Sequence, residues 1–112
     1  MFYTFSQNNS GGYFVKDHDA GVAEYIIIEA NNADDARSRF WDIGEFVDGF
    51  RSYCRCCGDR WSDDMIDDDD GTERPEIYGQ HVRDFGPTIF REECFLHTID
   101  GKMELIKLKE RA

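Results

Sequence analysis

Cationic side chains are scarce. The 112-residue chain carries 13 Lys and Arg against 24 Asp and Glu, a formal net charge of −11. That balance speaks against a protein that tracks nucleic-acid phosphates, because counterion release needs clustered Lys and Arg. Long apolar runs are also missing. The best candidate, Ala23–Ala30, holds two glutamates and falls far short of the roughly 18 residues a membrane span requires. The amino end, Met1-Phe2-Tyr3-Thr4, lacks the cationic start and apolar core of a secretory signal, so a cytoplasmic location is expected. No Ser-His-Asp arrangement, His-Glu-x-x-His helix or deaminase-type His-x-Glu with Pro-Cys-x-x-Cys is present. The many carboxylates single out no acid–base pair, and an enzyme is not indicated.

With 40% hydrophobic and 14% aromatic residues, the chain nonetheless reads as a folded globule. One domain spanning residues 1–112 is expected. A domain of this length buries only about two-thirds of its unfolded surface, so an added staple would help it.

The acidity is concentrated. Asp59, Asp63, Asp64, Asp67, Asp68, Asp69, Asp70, Glu73 and Glu76 face only Arg60 and Arg74, so one stretch holds −7 of the chain's −11. Charge this dense resists burial, and a solvated, mobile loop over 59–76 is expected. A calcium loop is excluded: with Gly71 at its sixth position, Ile66 and Ile77 fall at positions one and twelve, where ligands are required. A negative surface formed by Asp63, Asp64, Asp67, Asp68, Asp69 and Asp70 that docks on a basic partner patch is the sharper reading.

Elsewhere the pattern predicts an α+β fold: a small antiparallel sheet with one packed helix and an inserted zinc knuckle. Phe2–Gln7 reads as a strand, turning through Asn8-Asn9-Ser10-Gly11-Gly12 into Tyr13-Phe14-Val15 as a hairpin. Val22–Ala30, apolar on both faces, suits a central strand covered on both sides. Asn31-Asn32 offers an N-cap, and Ala33, Ala36, Phe40 and Ile43 fall at helical spacing before a stop at Gly44. Cys94–Ile99 and Lys102–Lys109 flank Asp100-Gly101, a two-residue hairpin signal that pairs Ile99 with Lys102, His97 with Glu104, Phe95 with Ile106 and Cys94 with Lys107.

Three of the four cysteines crowd into Tyr53-Cys54-Arg55-Cys56-Cys57-Gly58-Asp59-Arg60-Trp61. Cys54-x-x-Cys57-Gly58 has the spacing of a metal knuckle, in which two thiolates reach one ion from a tight turn. A disulfide framework needs an oxidising compartment, and a thioredoxin-like pair needs a following helix, of which there is no sign. Cys94-Phe95-Leu96-His97 supplies a second pair at the same spacing, so Cys54, Cys57, Cys94 and His97 form a candidate Cys3His structural zinc site. Residues three apart on a regular strand point to opposite faces, however. If the strand is regular, Cys94 is the better ligand, and Cys56 or His81 completes the site while His97 pairs with Glu104.

Tyr3-Thr4-Phe5-Ser6-Gln7-Asn8-Asn9-Ser10-Gly11-Gly12, the Cys54–Trp61 segment, and His97 ahead of Asp100-Gly101 together resemble a family of small uncharacterised proteins of tailed bacteriophages, known only as a domain of unknown function. The resemblance implies action in a bacterial host cytoplasm and carries no activity with it.

The expected function is therefore a non-enzymatic, zinc-stabilised accessory protein that binds a host protein, with inhibition of a host or defence factor as its purpose. Two rivals stand beside it. One is a small-ligand or nucleotide-sequestering protein stacking on Tyr3, Tyr13, Tyr53, Tyr78 or Trp61, with Arg55 or Arg60 on phosphate. The other is a zinc-knuckle nucleic-acid binder using Arg51, Arg55 and Arg60.

Overall fold

The aromatic and Thr-rich amino end forms strand β1 (Phe2–Ser6), and the β-branched run forms β2 (Tyr25–Glu29). Helix α1 (Ala33–Ile43) follows, then the two-residue strands β3 (Tyr53–Cys54), β4 (Gly58–Asp59), β5 (Glu76–Ile77) and β6 (Gln80–His81), and finally β7 (Glu93–His97) and β8 (Met103–Lys107). The computed structural model describes residues 1–7, 14–50, 53–54, 58–61, 66–77, 80–82 and 93–108.

The α+β reading holds: one helix packs on a four-stranded sheet of order β1-β2-β7-β8. The sheet is mixed rather than antiparallel. β1 runs antiparallel to β2, and β8 antiparallel to β7, but β2 and β7 are parallel, with Ile26 opposite Phe95 and Ile28 opposite His97. A parallel pair needs a long crossover, and α1 with the following insertion supplies it.

β2 is covered on both faces, as its sequence predicts. Ile26 and Ile28 join Tyr3, Phe5, Ala33, Ala36, Phe40, Phe50 and Trp61 on the helix side. Tyr25 and Ile27 join Ile77, Val82, Cys94, Leu96, Ile106 and Leu108 on the other. The stripe Ala33, Ala36 and Phe40 is the buried face of α1. Phe40 lies at its centre, stacked on Phe5 at 4.3 Å between centroids and 10° between planes, with Trp61 edge-on at 5.1 Å and 80°. The helix begins at Asn32, whose side chain accepts from the Asp35 amide at 2.8 Å, and closes at Gly44.

Two strand pairings depart from expectation. The partner of β1 is β2, and Phe14 and Val15 form no strand. A side chain substitutes for a backbone ladder there: the buried Gln7 amide donates to the Val15 and Ala23 carbonyls at 2.9 and 3.2 Å, and its oxygen accepts from the Val15 amide. The expected turn residues, Asn8 to Gly12, lie outside the described residues, as does Tyr13.

The carboxyl hairpin is offset by one residue from expectation. His97 faces Met103, Leu96 faces Glu104 and Cys94 faces Ile106. The loop is three residues long, Ile99-Asp100-Gly101, closed by the Thr98 amide on the Lys102 carbonyl at 2.9 Å and by the Gly101 amide on the Thr98 carbonyl at 3.0 Å. Gly101 at φ +91° takes the left-handed place that such a loop requires, where a side chain would be strained.

Because Phe40 anchors the helix-side aromatic cluster, Phe40→Ala should lower the free energy of unfolding by about 3–5 kcal/mol in a urea titration. A loss below about 1 kcal/mol would mean that the cluster is not the core of that layer.

Candidate functional site

Of the residues expected to bind metal, Cys94 and His97 lie on opposite faces of the sheet, and Cys57 lies outside the described residues. β7 is a regular strand paired on both sides, so Cys94 and His97 project from opposite faces of the sheet. The free thiol of Cys94 is fully buried among Tyr25, Ile27, Leu96 and Ile106, and donates to the Phe95 carbonyl at 3.7 Å. Burial pushes that thiol pKa far up, and the Glu24 charge adds to the effect, which opposes the thiolate a metal needs. On the helix face His97 is 3% exposed and its Nε2 meets the Gly21 carbonyl at 2.8 Å. Burial pushes the imidazole pKa down, and Arg39 adds to this. Gly21 has φ +80°, and a Cβ there would lie 2.5 Å from the His97 ring, so this glycine is what admits the contact. The expected pairing of His97 with Glu104 is replaced by one with Met103, because the loop holds an extra residue.

Of the remaining candidates, Cys54 pairs across β3–β4 with Gly58, so the chain reverses between them. Cys56 and Cys57 lie outside the described residues. His81 sits on β6 opposite Glu76. Among the described residues no group of three or more His, Cys, Asp or Glu side chains is placed to hold a metal ion.

A charged cluster that the sequence did not signal lies at the start of β7. Glu24 and Glu93 are both buried, and the Glu24 carboxylate accepts from the Glu93 amide at 2.8 Å. Lys16 Nζ bridges them at 2.7 and 3.2 Å, His18 Nε2 lies 3.0 Å from Glu93, and Lys107 Nζ lies 3.0 Å from its other oxygen. Burial alone would raise the Glu93 pKa. Hydrogen bonds from His18, Lys107 and Lys16 outweigh it and hold the carboxyl at about 2. A carboxylate so firmly ionised and so fully paired cannot pass protons near neutrality. It fastens residues 16–24 to the edge of β7. The only hint in the sequence was a glutamate standing inside an apolar strand run, at Glu24.

The acidic stretch is held in place where it is described. Asp68–Asp70 form a 3-10 turn with a capping box between Asp67 and Asp70. Asp68 accepts from the Ala33 amide at 2.8 Å, satisfying a free donor at the start of α1, and Arg37 donates to the Ile66 carbonyl. Thr72 and Phe2 exchange backbone hydrogen bonds of 2.7 and 2.9 Å. Asp67, Asp68, Asp69 and Asp70 remain exposed, as do Asp34 and Asp35 beside them. Asn32, Asp34, Asp35, Arg37, Asp67 and Asp68 line an open depression of about 450 Å³ there. Asp63 and Asp64 lie outside the described residues.

Three outcomes follow. The lowered pKa of His97 means the unfolded chain takes up a proton first, so its contribution is whole above about pH 6.5 and shed as pH falls. Denaturant titrations between pH 7 and 5 should show falling stability, and His97→Gln, which keeps a donor toward Gly21, should flatten that slope. Glu93 works in a lower window: its contribution is present above 4.5 and lost as pH falls toward about 2, so Glu93→Gln should reduce the acid dependence there. Cys94→Ser should cost about 1–3 kcal/mol by burying a hydroxyl, while leaving any bound zinc at wild-type stoichiometry in metal analysis.

No curated protein and no solved structure matches the chain. A family model described as Domain of unknown function (DUF7296) matches residues 1–112, and the chain belongs to that family.

Proposed function

We propose that this domain is a non-enzymatic binding protein, an accessory protein of the bacteriophage kind, whose acidic end captures a basic surface on a host protein and thereby inhibits it. The observation that supports this is the fixed array of exposed aspartates, Asp34 and Asp35 on α1 with Asp67 to Asp70 on the 3-10 turn, joined by the Asp68–Ala33 hydrogen bond. Carboxylates held on rigid backbone steer a cationic partner at no ordering cost when it arrives. Of the residues the rival roles would use, Tyr13, Tyr78, Arg51 and Arg55 lie outside the described residues. Tyr3 and Trp61 are 2% and 3% exposed, within the core rather than open for stacking, and Arg60 at 2% cannot reach a nucleic-acid backbone.

Zinc belongs to this reading through the Cys54-x-x-Cys57-Gly58 spacing and the chain reversal between Cys54 and Gly58. Cys94 is sealed in the apolar layer and His97 is held on the Gly21 carbonyl across the sheet, so this reading draws its donors from Cys54, Cys56, Cys57 and His81. Metal analysis of the full chain under reducing conditions should find zinc that Cys54→Ser and Cys57→Ser each remove.

The binding role is tested with Asp35→Asn combined with Asp69→Asn. Stability should change by less than about 1 kcal/mol. Capture of the partner from a bacterial lysate should weaken, and the remaining capture should depend less on salt. Unchanged capture with unchanged salt dependence would dismiss the acidic face as the contact.

A further inference from the structure

A second feature lies at the carboxyl ends of the parallel strands β2 and β7. Glu29, Leu96, Thr98, Ile99, Asp100, Lys102, Met103 and Glu104 enclose an open groove of about 470 Å³ whose lining is mostly apolar. Ile99 and Met103 are 55% and 47% exposed, two of the four large hydrophobic side chains left in solvent among the described residues. Their exposure is not slack. The Ile99 amide donates to Glu29 at 3.0 Å, Arg39 of α1 donates to the Thr98 carbonyl, and Asp100 accepts from Thr98 and from the Lys102 amide. The hairpin tip is thus tied to a strand and a helix, and holds its apolar side chains outward at little further entropic cost on binding. The lining carries three carboxylates, Glu29, Asp100 and Glu104, and one ammonium, Lys102, which lies 3.9 Å from Asp100.

We propose that this groove seats an apolar side chain of a partner protein segment, flanked on that segment by Lys or Arg. The apolar lining takes the anchor, and the surplus of rim carboxylates selects the cationic flanks. The inference rests on the binding role proposed above and gives it a specificity site distinct from the aspartates beside α1.

The test uses the full chain, isotope-labelled, with synthetic peptides carrying a central Leu between Arg residues. Amide shifts on titration should centre on Glu29, Leu96, Ile99 and Met103. Ile99→Ser combined with Met103→Ser, both at exposed positions, should weaken binding about tenfold or more, and so should a central Ser in the peptide. Asp35→Asn with Asp69→Asn should leave this peptide's affinity within about twofold. Several results would overturn the proposal: equal binding of a Glu-flanked peptide, shifts confined to Asp34, Asp35 and Asp67 to Asp70, no binding by any Arg-flanked peptide, or a self-associated wild type that Ile99→Ser with Met103→Ser renders monomeric. The second of these leaves the acidic-face reading standing while removing the groove. If instead the peptide binds as expected and lysate capture ignores the aspartate changes, the groove survives and the acidic face does not.

Discussion

β2 has almost no contact with water, and the rest of the architecture answers that constraint. Tyr25, Ile26, Ile27 and Ile28 are each 0–1% exposed, and burying such side chains contributes about 1.5–3 kcal/mol apiece. A strand like this needs a neighbour on each edge and a layer on each face. β1 and β7 provide the edges, α1 with Phe50 and Trp61 one face, and Ile77 with Val82 the other. The long insertion between α1 and β7 is therefore structural material: it carries the covers for both faces before the chain returns to lie parallel to β2. A small domain closes its core in this way.

Among the described residues two groups of charges stand at opposite ends of the central strands. Where β7 begins, Lys16, His18 and Lys107 converge on Glu93, with Glu24 beside it. Where β2 and β7 end, carboxylates dominate: Asp34 and Asp35 on α1, Asp67 to Asp70 on the turn, Asp100 on the hairpin. At the first end cations are spent on holding a loop down. At the second, Asp34, Asp35, Asp67 to Asp70 and Asp100 are left facing solvent. The helix N-terminus at the acidic end reduces the mutual repulsion there, through the Ala33 amide on Asp68.

What the sequence made legible was local. Asn32 and Gly44 bracket the helix, Ala33, Ala36 and Phe40 give its buried stripe, and the unbroken Tyr25–Ile28 run gives a strand covered on both sides. Each depends on neighbours within a few positions. Partner choice across the sheet was not legible, because parallel and antiparallel pairing of β2 with β7 bury the same side chains. Nor was Gln7, whose amide completes a ladder for Val15 and could only be recognised once both were placed. The cluster of exposed Lys16 with buried Glu24 and Glu93 joins residues as far as 77 apart in the chain, between Lys16 and Glu93, with no spacing rule to announce it. For the candidate site, the opposition of Cys94 and His97 across a regular strand followed from alternation, whereas the sealing of Cys94 beneath Ile77 and Val82 did not.

The hairpin register shows how much one residue can decide. With a two-residue Asp100-Gly101 loop, Ile99 would be a ladder residue opposite Lys102, and Glu104 would stand beside His97. Admitting Ile99 to the loop shifts β8 by one, and a one-residue shift exchanges its faces. Ile106 then enters the apolar layer with Cys94, Met103 meets His97, and Glu104 moves opposite Leu96 to the rim of the groove. Burial favours the longer loop, since it places Ile106 at 5% exposure and Leu108 at 4% in the layer over Cys94. The exposed Ile99 at the tip is the consequence of that choice. The demand of the core on β8 therefore produces both the groove and the apolar side chain at its edge, and the surface proposed for binding arises without any residue being set aside from packing to make it.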